Sequence, residues 1–305
     1  MFNPEINFHP TFTTPSRPLT WLITGCSSGL GLALARQVQA SGHTVIATSR
    51  NPSRTPELVE EITKGASAGS PGRWITLDVD DPHAGKVIAD LEAEGVAIDV
   101  LCNNAGYSIH HTVEQFTEDE IRAQFETVFF GPYRLMRAVL PGMRRRRFGV
   151  VVNMSTGASL EGRDSMGIYA ASKAAMDGLT KVLAKEVAAF NIRTHTILLG
   201  AFRTDMGNRA RVGSATLAED YKGSLVDQTL QFMTTGKFVG DGDPKKAARA
   251  IYQLVAGEGL GAGKEAELLM PLGRDMEARV QLCRNRLDHC WEVFGDIAMN
   301  VRADS

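Results

Sequence analysis

The stretch from Thr20 to Gly42, TWLITGCSSGLGLALARQVQASG, most constrains the fold of this chain. A short apolar run, Thr20 to Thr24, ends in the glycine-rich turn GCSSGLG. Apolar residues then recur at helical spacing until Gly42 stops them. Gly25, Gly29 and Gly31 therefore sit where a strand turns into a helix. A helix N-terminus offers bare backbone donors to a phosphate, and absent side chains let it approach. The spacing is G-x-x-x-G-x-G rather than the G-x-G-x-x-G dinucleotide pattern.

The same alternation continues. His43 to Thr48 reads as a second strand and ends in Ser49-Arg50. In a dinucleotide fold this strand end faces the adenosine ribose, where an acidic residue would repel a 2′-phosphate. Ser49 removes that repulsion and Arg50 offers a fork for phosphate oxygens, which favours NADP over NAD. A helix is expected at 56–64, a strand at 73–78, a helix at 82–94 and a strand at 98–102. Such alternation implies an α/β fold, a parallel sheet with helices on both faces. Asp78 falls at a strand end, where it would meet the adenine. Asn103-Asn104-Ala105-Gly106 follows the next strand and suits the ligand crevice beyond a parallel strand's carboxyl end.

A long helix is expected at 118–146, interrupted by Gly131-Pro132 and Pro141, with Arg144 to Arg147 at its C-terminus. A strand at 149–154 leads into Ser155-Thr156-Gly157. Next come the helix carrying Tyr169, a strand at 193–198 and the loop LLGAFRTDM. Residues 205–240 lack strong periodicity and read as a mobile lid or substrate loop with a little helix. A helix at 244–256, a strand at 266–270 and a helix at 274–297 close the chain. The expected organisation is an irregular arm, 1–18, then one domain, 19–275, then a helical extension, 276–305, packed on that domain.

Tyr169 and Lys173 are four residues apart in a helical segment, so both side chains leave one face. A free phenol titrates near 10. An ammonium about 4 Å away favours the phenolate by roughly 4 kcal/mol at an effective dielectric of about 20. The expectation is a Tyr169 moved toward neutrality and usable as a general acid or base.

Composition excludes several other functions. Net charge is −2 over 305 residues, which gives no footprint for nucleic acid or an anionic membrane. Cys26, Cys102, Cys283 and Cys290 show no metal spacing, and the last two lie two turns apart on one helix, where packing is expected. No metal site is expected. The N-terminal residues lack the apolar core of a signal peptide, and no stretch reaches a membrane span, so a cytoplasmic protein is expected.

Taken together, Thr24-Gly25-x3-Gly29-x-Gly31, Asn103-Asn104-Ala105-Gly106, Tyr169-x3-Lys173 and Gly200-x3-Thr204, in that order, resemble the short-chain dehydrogenase/reductase family over about 19–275. The resemblance is to single-domain, NADP-linked members near the hydroxysteroid dehydrogenase branch. It implies a Rossmann-type, doubly wound parallel sheet of about seven strands in three α/β/α layers. It implies hydride transfer between NADP(H) and a carbonyl or alcohol carbon of a small molecule, and a homo-oligomer. Tyr169 matches the proton donor, and Lys173 the residue that bonds the nicotinamide ribose and lowers the tyrosine pKa. The resemblance places the pyrophosphate against Gly25, Ser27, Ser28, Gly29, Leu30 and Gly31. It places the adenosine against Ser49, Arg50, Asp78 and Val79. Asn104, Ala105 and Gly106, with Gly200, Phe202 and Thr204, would complete the cofactor site.

Three positions depart from the family pattern. The catalytic serine, thirteen residues before the tyrosine, is Thr156, whose methyl narrows the pocket. Ser155 beside it is expected to point to the other side of the strand. The relay asparagine, three residues before Gly131, is Val128, and the usual proline before Gly200 is Leu199. The first two departures motivate an alternative on the same scaffold, a non-redox cyclase, isomerase or dehydratase. The pocket is expected to be rimmed by Tyr107 to His111 and by 205–240, with His110 and His111 available to orient substrate.

Overall fold

The computed structural model describes residues 11–65, 72–207, 210–234 and 239–301. Elements run β1 (Thr20–Ile23), α1 (Gly29–Ala40), β2 (Thr44–Ser49), α2 (Pro56–Lys64), β3 (Arg73–Thr76) and α3 (Lys86–Ala93). Next come β4 (Val100–Asn103), β5 (Ile109–His110), α4 (Glu118–Phe125), α5 (Gly131–Arg146), β6 (Gly149–Thr156) and α6 (Ala158–Glu161). The chain closes with α7 (Gly167–Val187), β7 (Ile192–Leu199), β8 (Arg211–Val212), α8 (Leu225–Thr234), α9 (Pro244–Ala256), β9 (Leu269–Leu272) and α10 (Met276–Met299). Seven strands form one sheet in the order β3-β2-β1-β4-β6-β7-β9, and every pairing is parallel. The architecture is the expected Rossmann-type three-layer α/β/α fold.

Helices on both faces explain why the central strands are nearly continuous apolar runs. Trp21, Val100, Val150 and Val152 face one core with Leu34, Val38, Ile251 and Val255 of α1 and α9. Leu22, Leu101 and Val151 face the other with Ile88, Leu135, Val139 and Leu183 of α3, α5 and α7. The strand order reverses between β1 and β4, so the carboxyl ends of these two strands open a crevice.

Several boundaries differ from the expectation. β3 stops at Thr76 because Asp78 starts a turn, its Oδ1 accepting from the Asp80 amide at 3.1 Å. Pro141 lies inside α5 without ending it; the long helix is broken instead by a wide π-helical turn, Glu126–Phe130. β9 pairs Leu269 with Thr196, three residues later than expected, because the Glu267 carbonyl accepts from His195 Nδ1 at 2.8 Å. The arginine run clamps α3 more than it caps α5: Arg145 and Arg146 both pair with Glu92.

The 205–240 segment is more tied down than a mobile loop would be. β8 pairs with β5, His111 Nε2 donates to the Ala215 carbonyl at 2.9 Å, and Glu120 accepts from the Ser214 amide at 2.7 Å. The arm is pinned by Thr13 to Asn191 and by a bidentate Arg17–Asp99 pair at 2.7 and 2.8 Å. The rest of these expectations, at 1–10, 208–209, 235–238 and 302–305, lies outside the described residues. The extension corrects the expectation of a packed helix: α10 is buried at Met276 and bonded through Arg279 and Arg286, and is almost wholly exposed beyond. No helix among the described residues is long and apolar enough to cross a membrane.

Two glycines separate packing from propensity. A Cβ on Gly131 would come 2.6 Å from the Val79 carbonyl oxygen, whereas one on Gly178 of α7 meets nothing within 4 Å. Gly131→Ala should destabilise by about 1–3 kcal/mol, and Gly178→Ala should stabilise by about 0.5–1 kcal/mol. Urea denaturation of each variant measures both signs.

Candidate active site

Thr24, at the end of β1, fixes the crevice. Its Oγ1 accepts from the amides of Asn104 and Ala105, each at 2.9 Å, which ties β1 to the end of β4. Asn104 returns the contact, its Nδ2 donating to the Thr24 carbonyl at 2.8 Å and the Gly25 carbonyl at 3.2 Å. Gly25 has φ +72°, and a Cβ there would meet Ala105 Cα at 2.9 Å. The turn therefore needs glycine for conformation and for closeness. Ser28 gives α1 no side-chain cap and no acid stands in its first turn, which leaves the first amides to an anion.

A cavity of about 780 Å³ opens above this turn. Gly25, Ser27, Ser28, Gly29 and Leu30 form its floor, with Ser49, Arg50 and Val79 at one end. Asn104, Ala105 and Gly106 form a side, and Thr156, Tyr169 and Lys173 stand at the other end with Gly200, Phe202 and Thr204. Two expected contacts do not reach it. Gly31 is a packing glycine, where a Cβ would meet Asn104 Nδ2 at 2.4 Å. Asp78 spends its side chain on the Asp80 amide, so Val79 and Asp80 line that corner instead. Ser49 Oγ accepts from Trp74 Nε1 at 3.0 Å, which leaves Arg50 as the cationic group at the rim.

Thr156 and Ser155 divide as strand alternation dictates. Ser155 Oγ donates to Asp177 Oδ2 at 2.9 Å, while the Thr156 hydroxyl faces Tyr169 and pulls its pKa down. Tyr169 itself corrects the expectation. Burial is the dominant influence and pushes its phenol up, and Asp177 adds to that push. Lys173 does not meet it head to head: Nζ donates to the Met154 carbonyl at 2.5 Å and stands 6.0 Å from the Tyr169 ring centre. Burial lowers Lys173 to about 8, against the opposing pull of Asp177 one turn on. Val128 is buried, and a Cβ on Gly106 would lie 3.8 Å from Val128 Cγ2 and 3.9 Å from Lys173 Nζ; the ammonium takes the Met154 carbonyl as its partner.

His110 is lowered to about 4 by burial and Arg163, and its ring nitrogens bond Ser165 at 3.0 Å and Ser108 at 3.2 Å. His111 bonds the Ala215 carbonyl. Both histidines hold loops together in this arrangement. The cavity also receives side chains that sequence reasoning missed: Asp80, Arg163, Arg211 and Arg279. Arg211 stacks its guanidinium 4.1 Å from the Tyr107 ring centre. Arg279 comes from α10, far along the chain, and no motif marks it. Asp177 had a signal, since it follows Lys173 by one turn. Among the described residues no cluster of His, Cys, Asp and Glu forms a metal site.

A glycine turn at a strand-order reversal, followed by a Thr–Tyr–Lys cluster on β6 and α7, defines a dinucleotide-fold oxidoreductase. The chain belongs to the short chain dehydrogenase family, which it matches over residues 20–214. It is 38% identical over 216 residues to the oxidoreductase claN of Passalora fulva, covering 70% of this chain and 94% of that protein. A short-chain dehydrogenase from Streptomyces avermitilis superposes with a TM-score of 0.81 at 32% identity, covering 95% of this chain and all of that one. A metagenomic short-chain oxidoreductase in complex with NADP superposes at 0.56 with 26% identity, covering 61% of this chain and 83% of that one.

The buried lysine makes stability depend on pH. Lys173 falls from an ordinary 10.5 to about 8 in the fold. Between those values the unfolded chain holds the proton and the folded chain has lost it. Stability therefore rises with pH across about 8 to 10. Lys173→Met should abolish this contribution, read as the wild-type minus variant difference in urea midpoint at each pH. A difference that stays flat across the window contradicts the assignment.

Proposed function

We propose that this protein is an NADP(H)-dependent oxidoreductase that reduces a ketone or aldehyde on a bulky apolar small molecule, with Tyr169 as proton donor. The observation that carries the reading is the convergence of Thr156, Tyr169 and Lys173 at one end of a cavity floored by the glycine turn. The turn fits a dinucleotide: a Cβ on Gly25 would strike Ala105, and the uncapped α1 terminus suits a pyrophosphate. Arg50, with no acid at the end of β2, suits a 2′-phosphate. The bound NADP of the metagenomic relative supports the same cofactor.

When bound, the reduced nicotinamide supplies a hydride to the carbonyl carbon. The protein's own residues handle the oxygen. Thr156 and Tyr169 hydroxyls hold it, and Tyr169 gives it the proton. Burial keeps Tyr169 protonated at neutral pH, which is the form that reduction needs. Lys173 stays an ammonium below about 8, and its charge favours the phenolate left after transfer. Leu225, Phe232 and Met233 of α8, with Met166 and Met206, supply an apolar wall for the substrate body.

Tyr169→Phe should lower kcat for NADPH-dependent ketone reduction by at least about 10²-fold. Full activity in that variant would refute the assignment. Arg50→Ala should raise the KM for NADPH by about 10-fold to 100-fold, the loss of one charge-assisted contact. Its KM for NADH should barely change. Equal losses with both cofactors would remove Arg50 from phosphate recognition.

A further inference from the structure

The base of α10 is seated directly behind Thr156. A Cβ on Gly157, the next residue, would come 2.6 Å from Arg279 Cδ and 2.8 Å from Met276 Sδ. The Arg279 guanidinium forks between two carboxylates. One nitrogen pairs with Glu161, the last residue of α6, and the others reach Asp275 Oδ2 at 2.8 and 2.9 Å. Arg286 donates to the Glu161 carbonyl at 2.6 Å. Two arginines of α10 thus hold the end of α6. At its start α6 holds Thr156 in turn: the Ala158 amide donates to Thr156 Oγ1 at 3.3 Å, and Ser159 Oγ donates to the Thr156 carbonyl at 2.7 Å.

We propose that Arg279 is a positioning residue for the reaction at Thr156 and Tyr169: by gripping Glu161 it fixes α6, and α6 fixes the direction of the Thr156 hydroxyl. This rests on the reductase reading above in taking Thr156 as a group that holds the carbonyl oxygen. A threonine, with both an oxygen and a methyl on Cβ, turns one or the other to a given side according to its rotamer. The Ala158 amide selects the rotamer that sets the hydroxyl beside Tyr169. The ion pair is costly as mere fastening. The Arg279 and Glu161 side chains are only 13% and 12% exposed, so desolvation offsets much of their attraction, and an apolar contact would hold the helix as firmly. What the guanidinium adds is direction, since its planar fork fixes the angle of both partners. Those partners belong to the two segments that border the substrate end. Glu161 closes the segment after β6, and Asp275 Oδ1 accepts from the Ala201 amide, after β7, at 3.2 Å. Arg279 itself lines the cavity between them.

The test pairs NMR of isotope-labelled threonine methyls in the full-length protein with NADPH-dependent ketone reduction. The Thr156 resonance is assigned by its loss in Thr156→Val. Arg279→Met should move that resonance and lower kcat by about 10-fold to 100-fold, with the dissociation constant for NADPH at its wild-type value. Arg279→Lys should recover part of the kcat. Glu161→Gln, which keeps the carbonyl that Arg286 uses, should move both readouts the same way by less, and it decides the point if Arg279→Met does not fold. Arg17→Met, which breaks an ion pair that does not line the cavity, should move neither, whatever it does to the melting temperature. In a Thr156→Val background, Arg279→Met should leave kcat where Thr156→Val alone puts it. An equal loss of kcat in both backgrounds would overturn the proposal. So would a Thr156 resonance that stays in place in Arg279→Met and Glu161→Gln alike. A wild type that reduces no ketone would refute the reductase reading by itself, and the resonance would still decide the clamp.

Discussion

The site rests on one hydroxyl. Thr24 Oγ1 accepts from two consecutive amides beyond β4, and so sets the two strand ends that diverge where the sheet order reverses. The glycine turn must fit between that clamp and the start of α1, which is why Gly25 meets Ala105 so closely. Asn104 is drawn into the same lattice by its bonds to the Thr24 and Gly25 carbonyls. A second polar ladder lies deeper: Asn103 Nδ2 donates to Asn153 Oδ1 at 2.7 Å, and Asn153 Nδ2 to Thr180 Oγ1 at 2.9 Å. It fastens β4, β6 and α7 together. The strand that presents Thr156 and the helix that presents Tyr169 are thereby held in register with the glycine turn.

Burial governs the chemistry at the other end. Tyr169 and Lys173 are both enclosed, and enclosure acts on them in opposite directions, raising the phenol and lowering the ammonium. Each change favours the neutral form of its group, as desolvation should, and Lys173 at about 8 still holds its proton at neutral pH. Asp177 is the counterweight. Its carboxylate, held by Ser155 and by Ser159 at 2.7 Å, favours the charged form of Lys173. The site is thus poised by three groups on α7 and one strand, not by a simple tyrosine–lysine pair.

The sequence made the sheet legible because parallel strands buried on both faces leave apolar runs, and the helices between them carry a regular period. It made the glycine turn, Thr156 and the Tyr169 face legible because short-range spacing fixes them. Asp78 was misplaced because a side chain that closes a local turn looks the same, in sequence, as one that reaches a ligand. The Lys173 partner was misread for a related reason: helical spacing brings two side chains to one face but does not say which acceptor the longer one takes. Arg211 and Arg279 reach the cavity from β8 and α10, and only tertiary structure brings them there. The exposure of α10 was equally hidden, since a helical period in a sequence does not say whether another element covers the helix.

The central claim is hydride transfer at the Thr156–Tyr169 end of the cavity. The most direct measurement is mass spectrometry of the product formed with NADPH deuterated at its hydride-bearing carbon. The account predicts an alcohol product that carries deuterium at the former carbonyl carbon, in step with NADPH consumed. A product that forms without deuterium and without loss of NADPH would contradict it, and would assign the same residues to a reaction that moves protons alone.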